Sequence, residues 1–329
     1  MIGVTGANGL LGSYIIRKLI DENVLFTAFK RKSSDTSLLE DVADKIKWRD
    51  LDLLDPVSMD DALQGVTAVI HTAAMVSFNP KHAGAISRVN TEGTRNIVNA
   101  CLAHNIQRFV YISSVGALGR VKGQTQIDEK NKWVENSLHS TYATSKYLAE
   151  LEVFRGQEEG LRTVILNPSV ILAPADWSKS SAQLFKYVWN ERRFYIDGSI
   201  NYVDVRDVAA AAWLLLNSGM ENERFIVSAG AMSFKELFDA IALRLDKKSP
   251  MIKLSKNFLK IVTGIEGLRA SVCRSEPLIT RDTARLAGTY FLYQNNKIKN
   301  SLQFEFKTLD NTLDWCCRYY MQKFALKKG

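Results

Sequence analysis

The feature that most constrains this chain lies at its start, where residues 3–12 read G-V-T-G-A-N-G-L-L-G. A short β-type run over residues 1–5 meets glycines at 6, 9 and 12, then an amphipathic run over residues 10–20. That pattern predicts a strand, a tight turn and a helix. Gly6 permits the turn, Gly9 lets the backbone approach a ligand closely, and Gly12 lets the helix pack against the strand. The helix N-terminus then offers unpaired N–H groups and the positive end of a dipole, which suit a pyrophosphate. The spacing is G-x-x-G-x-x-G, not the tighter G-x-G-x-x-G, and an ordinary strand-to-helix loop can read the same way. Its position directly after an apolar strand favours nucleotide binding.

A chain of 329 residues, 46% hydrophobic, can hold one elaborated α/β domain or two modest ones. No uncharged apolar run reaches the roughly 18 residues that a membrane span needs, so stable membrane insertion is not expected. The N-terminus is already strand and glycine loop, so no signal peptide is expected before the fold. Cys101, Cys273, Cys316 and Cys317 lack metal-type spacing, which implies reduced thiols, a cytoplasmic location and no metal site. The net charge of +8 is uneven: residues 247–329 carry 16 Lys and Arg against 6 Asp and Glu. An acidic partner could explain this, but no basic motif is interleaved with aromatics. A solvated surface is favoured and nucleic acid is not expected.

Further along, strands are expected over residues 24–29, 46–51, 68–71 and 109–112, with a long helix over 83–104. Strand and helix alternate, so the expected fold is α/β, a doubly wound parallel sheet with its ligand at the carboxyl ends of the strands. The second strand ends in K-R-K-S-S (30–34) with no acidic residue to take a ribose 2′-hydroxyl. Arg31 and Lys32 could instead hold a 2′-phosphate, which favours NADP over NAD; a solvated loop is the alternative. After the third strand, Asp52 could accept from an adenine amino group beside Leu53, while Asp55 caps a helix with Pro56 at its first position. Thr72, Ala73 and Ala74 follow the fourth strand, small enough to let backbone pass close to a cofactor. His71 reads as a packed core histidine.

The chemistry is expected from S-T-Y-A-T-S-K (140–146). Tyr142 and Lys146, four apart, share one helical face. A phenol with a pKa near 10 is a poor acid or base at neutral pH, and a nearby ammonium favours its phenolate. Ser114, ending the fifth strand, could donate to a substrate oxygen. Y-x-x-x-K alone is common; its company here is not.

Together these stretches resemble the extended short-chain dehydrogenases/reductases of the NAD(P)-dependent epimerase/dehydratase group, in particular the dihydroflavonol reductase-like and 3β-hydroxysteroid dehydrogenase-like branch. The resemblance rests on T-G-A-N-G-L-L-G (5–12), D-L-L-D (52–55), H-T-A-A (71–74), V-N-T-E-G-T (89–94), Y-I-S-S-V (111–115), Y-A-T-S-K (142–146), L-N-P-S-V-I-L-A-P (166–174) and Y-V-D-V-R-D-V-A (202–209). It covers residues 1–210 in family order and is loose beyond. It implies a Rossmann domain over residues 1–169 plus 201–230, and a smaller, mostly helical substrate lobe over 170–200 plus 231–329. It implies Ser114, Tyr142 and Lys146 as the catalytic triad, and Asn90 as the helix-breaking residue whose backbone supports a proton relay through Lys146. The implied cofactor set is Gly6, Asn8, Gly9, Leu10, Leu11, Gly12, Arg31, Lys32, Asp52, Leu53, Thr72, Ala73, Ala74, Tyr142, Lys146, Pro168 and Ser169. NADP(H) is preferred, with NAD(H) as the alternative.

The expected activity is hydride transfer between nicotinamide and a carbonyl or secondary alcohol of a small substrate, with Tyr142 as the acid/base. A homodimer through the helices over 83–104 and 142–159 is implied by the family alone. Val115-Gly116 stands where sugar-nucleotide dehydratases carry Asp-Glu, which argues against dehydration. Asn167-Pro168 replaces the Arg-Pro usual in sugar-nucleotide epimerases. An epimerase that keeps its NAD bound is still a rival, as is a non-catalytic NADP-sensing or scaffold protein, although the latter commonly loses the Tyr or Lys. An apolar stripe over 257–273 could touch a membrane or roof an apolar pocket, and the aromatics Phe78, Phe185, Tyr187, Trp189, Phe194 and Tyr195 could line one, with lobe core favoured for both.

Overall fold

The computed structural model describes residues 1–77, 80–121, 123–134, 139–177, 181–254 and 288–325. The apolar stripe over 257–273, Phe78 and Cys273 lie outside them. The first strands are β1 (Ile2–Thr5), β2 (Phe26–Lys30), β3 (Trp48–Asp50), β4 (Ala68–His71) and β5 (Arg108–Ile112). With Thr163–Pro168 and Glu223–Val227 they form one seven-stranded, all-parallel sheet. Its order runs Glu223–Val227, Thr163–Pro168, β5, β4, β1, β2, β3. The chain reverses direction across the sheet between β1 and β4, and the crevice that opens there at the carboxyl ends is where such sheets take ligands.

Both faces of the sheet are covered, which is why its strands are apolar runs rather than clean alternations. On one face Ile15, Ile16 and Leu19 of the first helix, Leu10–Asp21, meet Val208, Ala211, Ala212 and Leu215 of the helix Val205–Asn217 over Val4, Ala28 and Val110. On the other, Ile97, Val98 and Cys101 meet Ala149 and Val153 over Val69, Phe109 and Ile165. Neighbouring strand residues thus serve opposite faces, the period of two that a pleated strand imposes.

The expected helix over 83–104 is broken in the middle. Ala83–Ser87 and Gly93–Ala103 are α-helical, and the turn between them, Arg88–Glu92, is a π-helix with Asn90 at its centre. Such bulges mark sites where side chains displace the regular ladder. Asp55 caps Pro56–Ala62 by accepting from Val57 N at 3.1 Å, and Ser233 with Glu236 closes a capping box on Phe234–Leu245.

A second, smaller core lies beside the sheet. It gathers a three-stranded sheet (Val170–Leu172, Ser199–Asp204, Gly230–Ser233) and the helices Ala182–Trp189, Phe234–Leu245 and Leu309–Ala325. Phe185, Leu237, Ile241, Leu313 and Tyr320 fill it. Trp177 stacks on Tyr320 and Phe324 at 4.2 and 4.6 Å, and Tyr187 stacks on Phe238. Phe185, Tyr187 and Trp189 are therefore engaged in packing, the reading favoured above over pocket lining. The segment over 296–315 straps back to the sheet side. Ile298 and Phe304 join the first core, Thr312 donates to Asp204 at 2.7 Å, and Lys307 N donates to Asp207 at 2.9 Å.

Candidate active site

Gly6 has φ +65°, the left-handed region, and a Cβ on it would lie 2.7 Å from Ala73 N and Cα. Only glycine lets the loops after β1 and β4 press together there. A Cβ on Gly12 would lie 2.1 Å from Gly6 O, so the helix Leu10–Asp21 can begin directly under the turn only without one. Gly9 is its N-cap; it gives no side-chain hydrogen bond, and the first turn carries no acidic residue. A helix start with uncapped N–H groups, next to a glycine cradle, suits a dinucleotide pyrophosphate on the donors present. Asn8 donates to Asp35 O at 3.0 Å and so ties this loop to the one after β2.

Arg31 and Lys32 sit on that second loop, exposed. Asp35 accepts from Ser37 N and Oγ, both at 2.9 Å, and Asp50 faces Lys30 at 3.9 Å. Asp52 accepts from Leu54 N at 3.0 Å, so one of its oxygens is held by its own turn, and Leu53 is buried against Gly93. Thr72 donates to Thr5 O at 2.7 Å and holds the Thr72–Ala74 backbone to the β1 end. Ser169 is buried after Thr163–Pro168, and its hydroxyl has no protein partner among the described residues, an unspent donor at the carboxyl end of the sheet.

Tyr142 and Lys146 lie in the helix Thr141–Glu158, which Ser140 caps through Ala143 N. Ser114 lies two residues past β5, and its Oγ accepts from Gly116 N at 3.1 Å, opening the turn Val115–Ala117. Burial pushes the Tyr142 phenol up to about 12, and the neighbouring Ser114 hydroxyl pulls it down. Lys146 Nζ donates to Ile112 O at 2.8 Å and Tyr111 Oη at 3.1 Å, and lies 4.6 Å from the Tyr111 ring centroid. Burial brings this amine down to about 7, and Glu150 opposes the fall. Two of its donors are thus held on the β5 side of the helix, and burial is the largest influence on the tyrosine.

Asn90 joins three elements. Its side chain accepts from Met75 N at 2.7 Å and donates to Met75 O and Ser145 Oγ, both at 3.0 Å. Ser145 Oγ in turn donates to Tyr142 O at 2.8 Å. The Asn90 carbonyl accepts from Thr94 Oγ1 at 2.6 Å, and Thr94 lies beside both Tyr111 and His71. His71 is buried between Thr5 and Thr94, where burial lowers it to about 3, the neutral core histidine its surroundings imply.

Several residues at this centre are not evident from motif spacing alone. Tyr111 holds the lysine. Glu150, 0% exposed, accepts from Asn167 Nδ2 at 2.6 Å and faces Arg224 Nη1 at 3.4 Å. Glu150 could have been noticed one helical turn after Lys146, at the same four-residue interval that links Tyr142 to Lys146; Arg224 and Tyr111 carry no such signal. Among the described residues no group of three His, Cys, Asp or Glu side chains is arranged for a metal, and no helix is long and apolar enough to cross a membrane.

Residues 2–228 match the NAD dependent epimerase/dehydratase family. The chain is 31% identical over 229 residues to sterol demethylase protein B of Methylococcus capsulatus, covering 68% of each. It is 34% identical over 219 residues to a Synechocystis protein that provisionally bears the name dihydroflavonol 4-reductase, covering 66% of this chain and 63% of that one. Among solved structures, gox2253 superposes with a TM-score of 0.84 at 28% identity over 98% of both chains. A Thermotoga maritima UDP-glucose 4-epimerase bound to UDP-glucose shares the fold at 18% identity and a TM-score of 0.79. With this match over most of its length, the glycine cradle at its head and the Ser–Tyr–Lys set at the carboxyl edge of a parallel sheet, the chain belongs to the NAD-dependent epimerase/dehydratase family of extended short-chain dehydrogenases/reductases.

Proposed function

We propose that the protein is an NADP-preferring reductase acting on a carbonyl or secondary alcohol of a small substrate. The observation that carries this reading is the placement of Ser114, whose turn packs against Ala143 through Gly116, beside Tyr142 at the carboxyl edge of the sheet that also carries the glycine cradle. Two hydroxyls so placed can both address one substrate oxygen. Ser114 orients it and Tyr142 gives the proton in reduction, or takes it in oxidation. Bound nicotinamide supplies or accepts the hydride. Lys146 serves as the buried cation of the site and as a donor to ribose hydroxyls. Gly6, Asn8, Gly9, Leu10, Leu11 and Gly12 hold the pyrophosphate, Asp52 and Leu53 the adenine, and Thr72, Ala73, Ala74, Pro168 and Ser169 the nicotinamide half.

Two observations favour a reductase over its relatives with other chemistry. The turn Val115–Ala117 carries no carboxylate to shuffle protons. Asn167 is spent on Ser114 O at 2.9 Å and on Glu150, a supporting role behind the serine. The exposed Arg31 and Lys32, in a loop K-R-K-S-S (30–34) that carries no acidic residue, support a 2′-phosphate. Residues 170–200 plus 231–329 are the proposed substrate lobe. A homodimer through the helices Gly93–Ala103 and Thr141–Glu158 completes the proposal, favoured by the exposed Leu151 on the second.

The test is a fluorescence titration of wild-type and Arg31→Ala protein with NADPH and NADH, followed by a carbonyl screen with Tyr142→Phe as control. Tight NADPH binding that Arg31→Ala weakens, with turnover lost in Tyr142→Phe, is the expected result. Protein that purifies with NAD already bound would move an epimerase to first place, and binding of neither would leave a non-catalytic scaffold.

A further inference from the structure

Behind Ser114 and Lys146 lies a carboxylate that the proposed chemistry does not use. Glu150 is fully buried in the helix that carries Tyr142 and Lys146. An isolated buried carboxylate is costly, so its partners reveal what keeps it there. From its own helix it is faced by Lys146; burial, the largest influence, raises the Glu150 carboxyl above its ordinary value, and Arg224, Asn167 and Lys146 pull it back. From Thr163–Pro168 comes Asn167, whose one amide nitrogen donates both to Glu150 Oε1 at 2.6 Å and to Ser114 O at 2.9 Å. On the β5 side lie Ser113 and Tyr111. From Glu223–Val227 comes Arg224 at 3.4 Å. Arg224 also binds the Glu129 and Asn131 carbonyls, and Glu129 accepts from Ile226 N at 2.9 Å.

Two links therefore run from one carboxylate to the two groups that flank Tyr142. Through Asn167 it fixes the backbone of Ser114. Through its charge it opposes the loss of the Lys146 proton. We propose that Glu150 is a positioning residue that sets Ser114 through Asn167 and keeps Lys146 in its ammonium form, so that one buried charge tunes both neighbours of the acid/base tyrosine. This rests on the oxidoreductase reading for its meaning in catalysis, but not for its test.

The experiment compares wild-type, Glu150→Gln and Glu150→Asp protein, each carrying 13Cε-lysine, by NMR titration. The Lys146 resonance is assigned by its loss in Lys146→Arg. Glu150→Gln keeps the shape and an acceptor for Asn167 but removes the charge, so the Lys146 titration is expected to fall by about one unit or more. Glu150→Asp keeps the charge but is one methylene too short for the Asn167 bond, so the titration is expected to stay within about half a unit of wild type. A shift of less than about half a unit in Glu150→Gln, or an equal fall in both variants, overturns the proposal. Should Glu150→Gln fail to fold by circular dichroism, Glu150→Met, neutral and of similar length, takes its place with the same expected fall and the same overturning result.

Once a carbonyl substrate is in hand, the basic limb of the kcat/KM profile for reduction should move to lower pH in Glu150→Gln. In Glu150→Asp, kcat should fall with the limb unmoved. A uniform loss at all pH values in both variants would mean packing alone. If no carbonyl compound is turned over, the oxidoreductase reading fails while the lysine titration still decides the role of Glu150.

Discussion

The two ends of the ligand crevice are built from different materials. The glycine end is backbone: Gly6 at positive φ against Ala73, Gly12 under Gly6 O, and a helix start without a side-chain cap. Its donors are main-chain N–H groups, and its specificity comes from atoms that are missing. The tyrosine end is side chain: Tyr111, Lys146, Glu150, Asn167 and Arg224 meet in the interior from three strands and a helix. The first end tolerates no added carbon, whereas the second tolerates no lost charge. Backbone cradles depend on local spacing, and buried polar networks depend on every partner being present.

The predictions test that contrast. The largest effect should come from Tyr142→Phe, which removes the acid/base while leaving the glycine end intact. We expect kcat/KM for carbonyl reduction to fall about 10²–10⁴-fold with NADPH affinity nearly unchanged, checked by steady-state kinetics beside a binding titration. If affinity fell as far as turnover, the two ends would not be separable. Next is Gly12→Ala, whose added Cβ meets Gly6 O at 2.1 Å. Overpacking of this kind costs about 1–3 kcal/mol, visible in denaturant unfolding, and should weaken cofactor binding as well. An alanine with wild-type stability and affinity would mean that the loop yields freely and that the cradle is not rigid.

Arg31→Ala should act only at the phosphate side of the glycine end. Loss of a charge-assisted contact predicts roughly tenfold weaker NADPH binding and unchanged NADH binding. Equal weakening of both would remove the 2′-phosphate from Arg31. The smallest effect is expected at the seam where the C-terminal strap meets the sheet. Burial raises the Asp207 carboxyl from 3.8 to about 6, with Asp204 nearby adding to it. The folded state therefore holds this proton more tightly than the unfolded chain does. Stability from this group is present below about pH 4 and is lost as pH rises through about 6. Asp207→Asn stays neutral and keeps an acceptor for Lys307 N, so its Tm should exceed wild type by about 2–4 °C at pH 8, with the gap closing near pH 4. A gap independent of pH would show that packing, not ionisation, governs the seam.

Much of this contrast was legible before any coordinates. The alternation of strands and helices, the glycine loop and the Asp55 cap are all local, so a short window of residues dictates each. The helix over 83–104 is a partial exception: its limits hold, but the π-turn around Asn90 depends on Met75 and Ser145, residues 15 and 55 positions away. The orientation of Lys146 was not legible at all. Spacing places it on the face of Tyr142, whereas the carbonyl of Ile112 and the hydroxyl of Tyr111, brought alongside only when β5 packs under the helix, decide where its amine rests.

What the sequence by itself determined is the class of fold and the identity of the motif residues, because glycine sterics, capping and hydrophobic period act over a few residues. What only the tertiary structure decided is how the charges at the tyrosine end are partnered. Lys146 and Glu150 lie on one helix, but Asn167 and Arg224 reach them from separate strands, 17 and 74 residues beyond Glu150. Desolvation and pairing act through space, and a buried charge takes its state from whatever the fold sets against it.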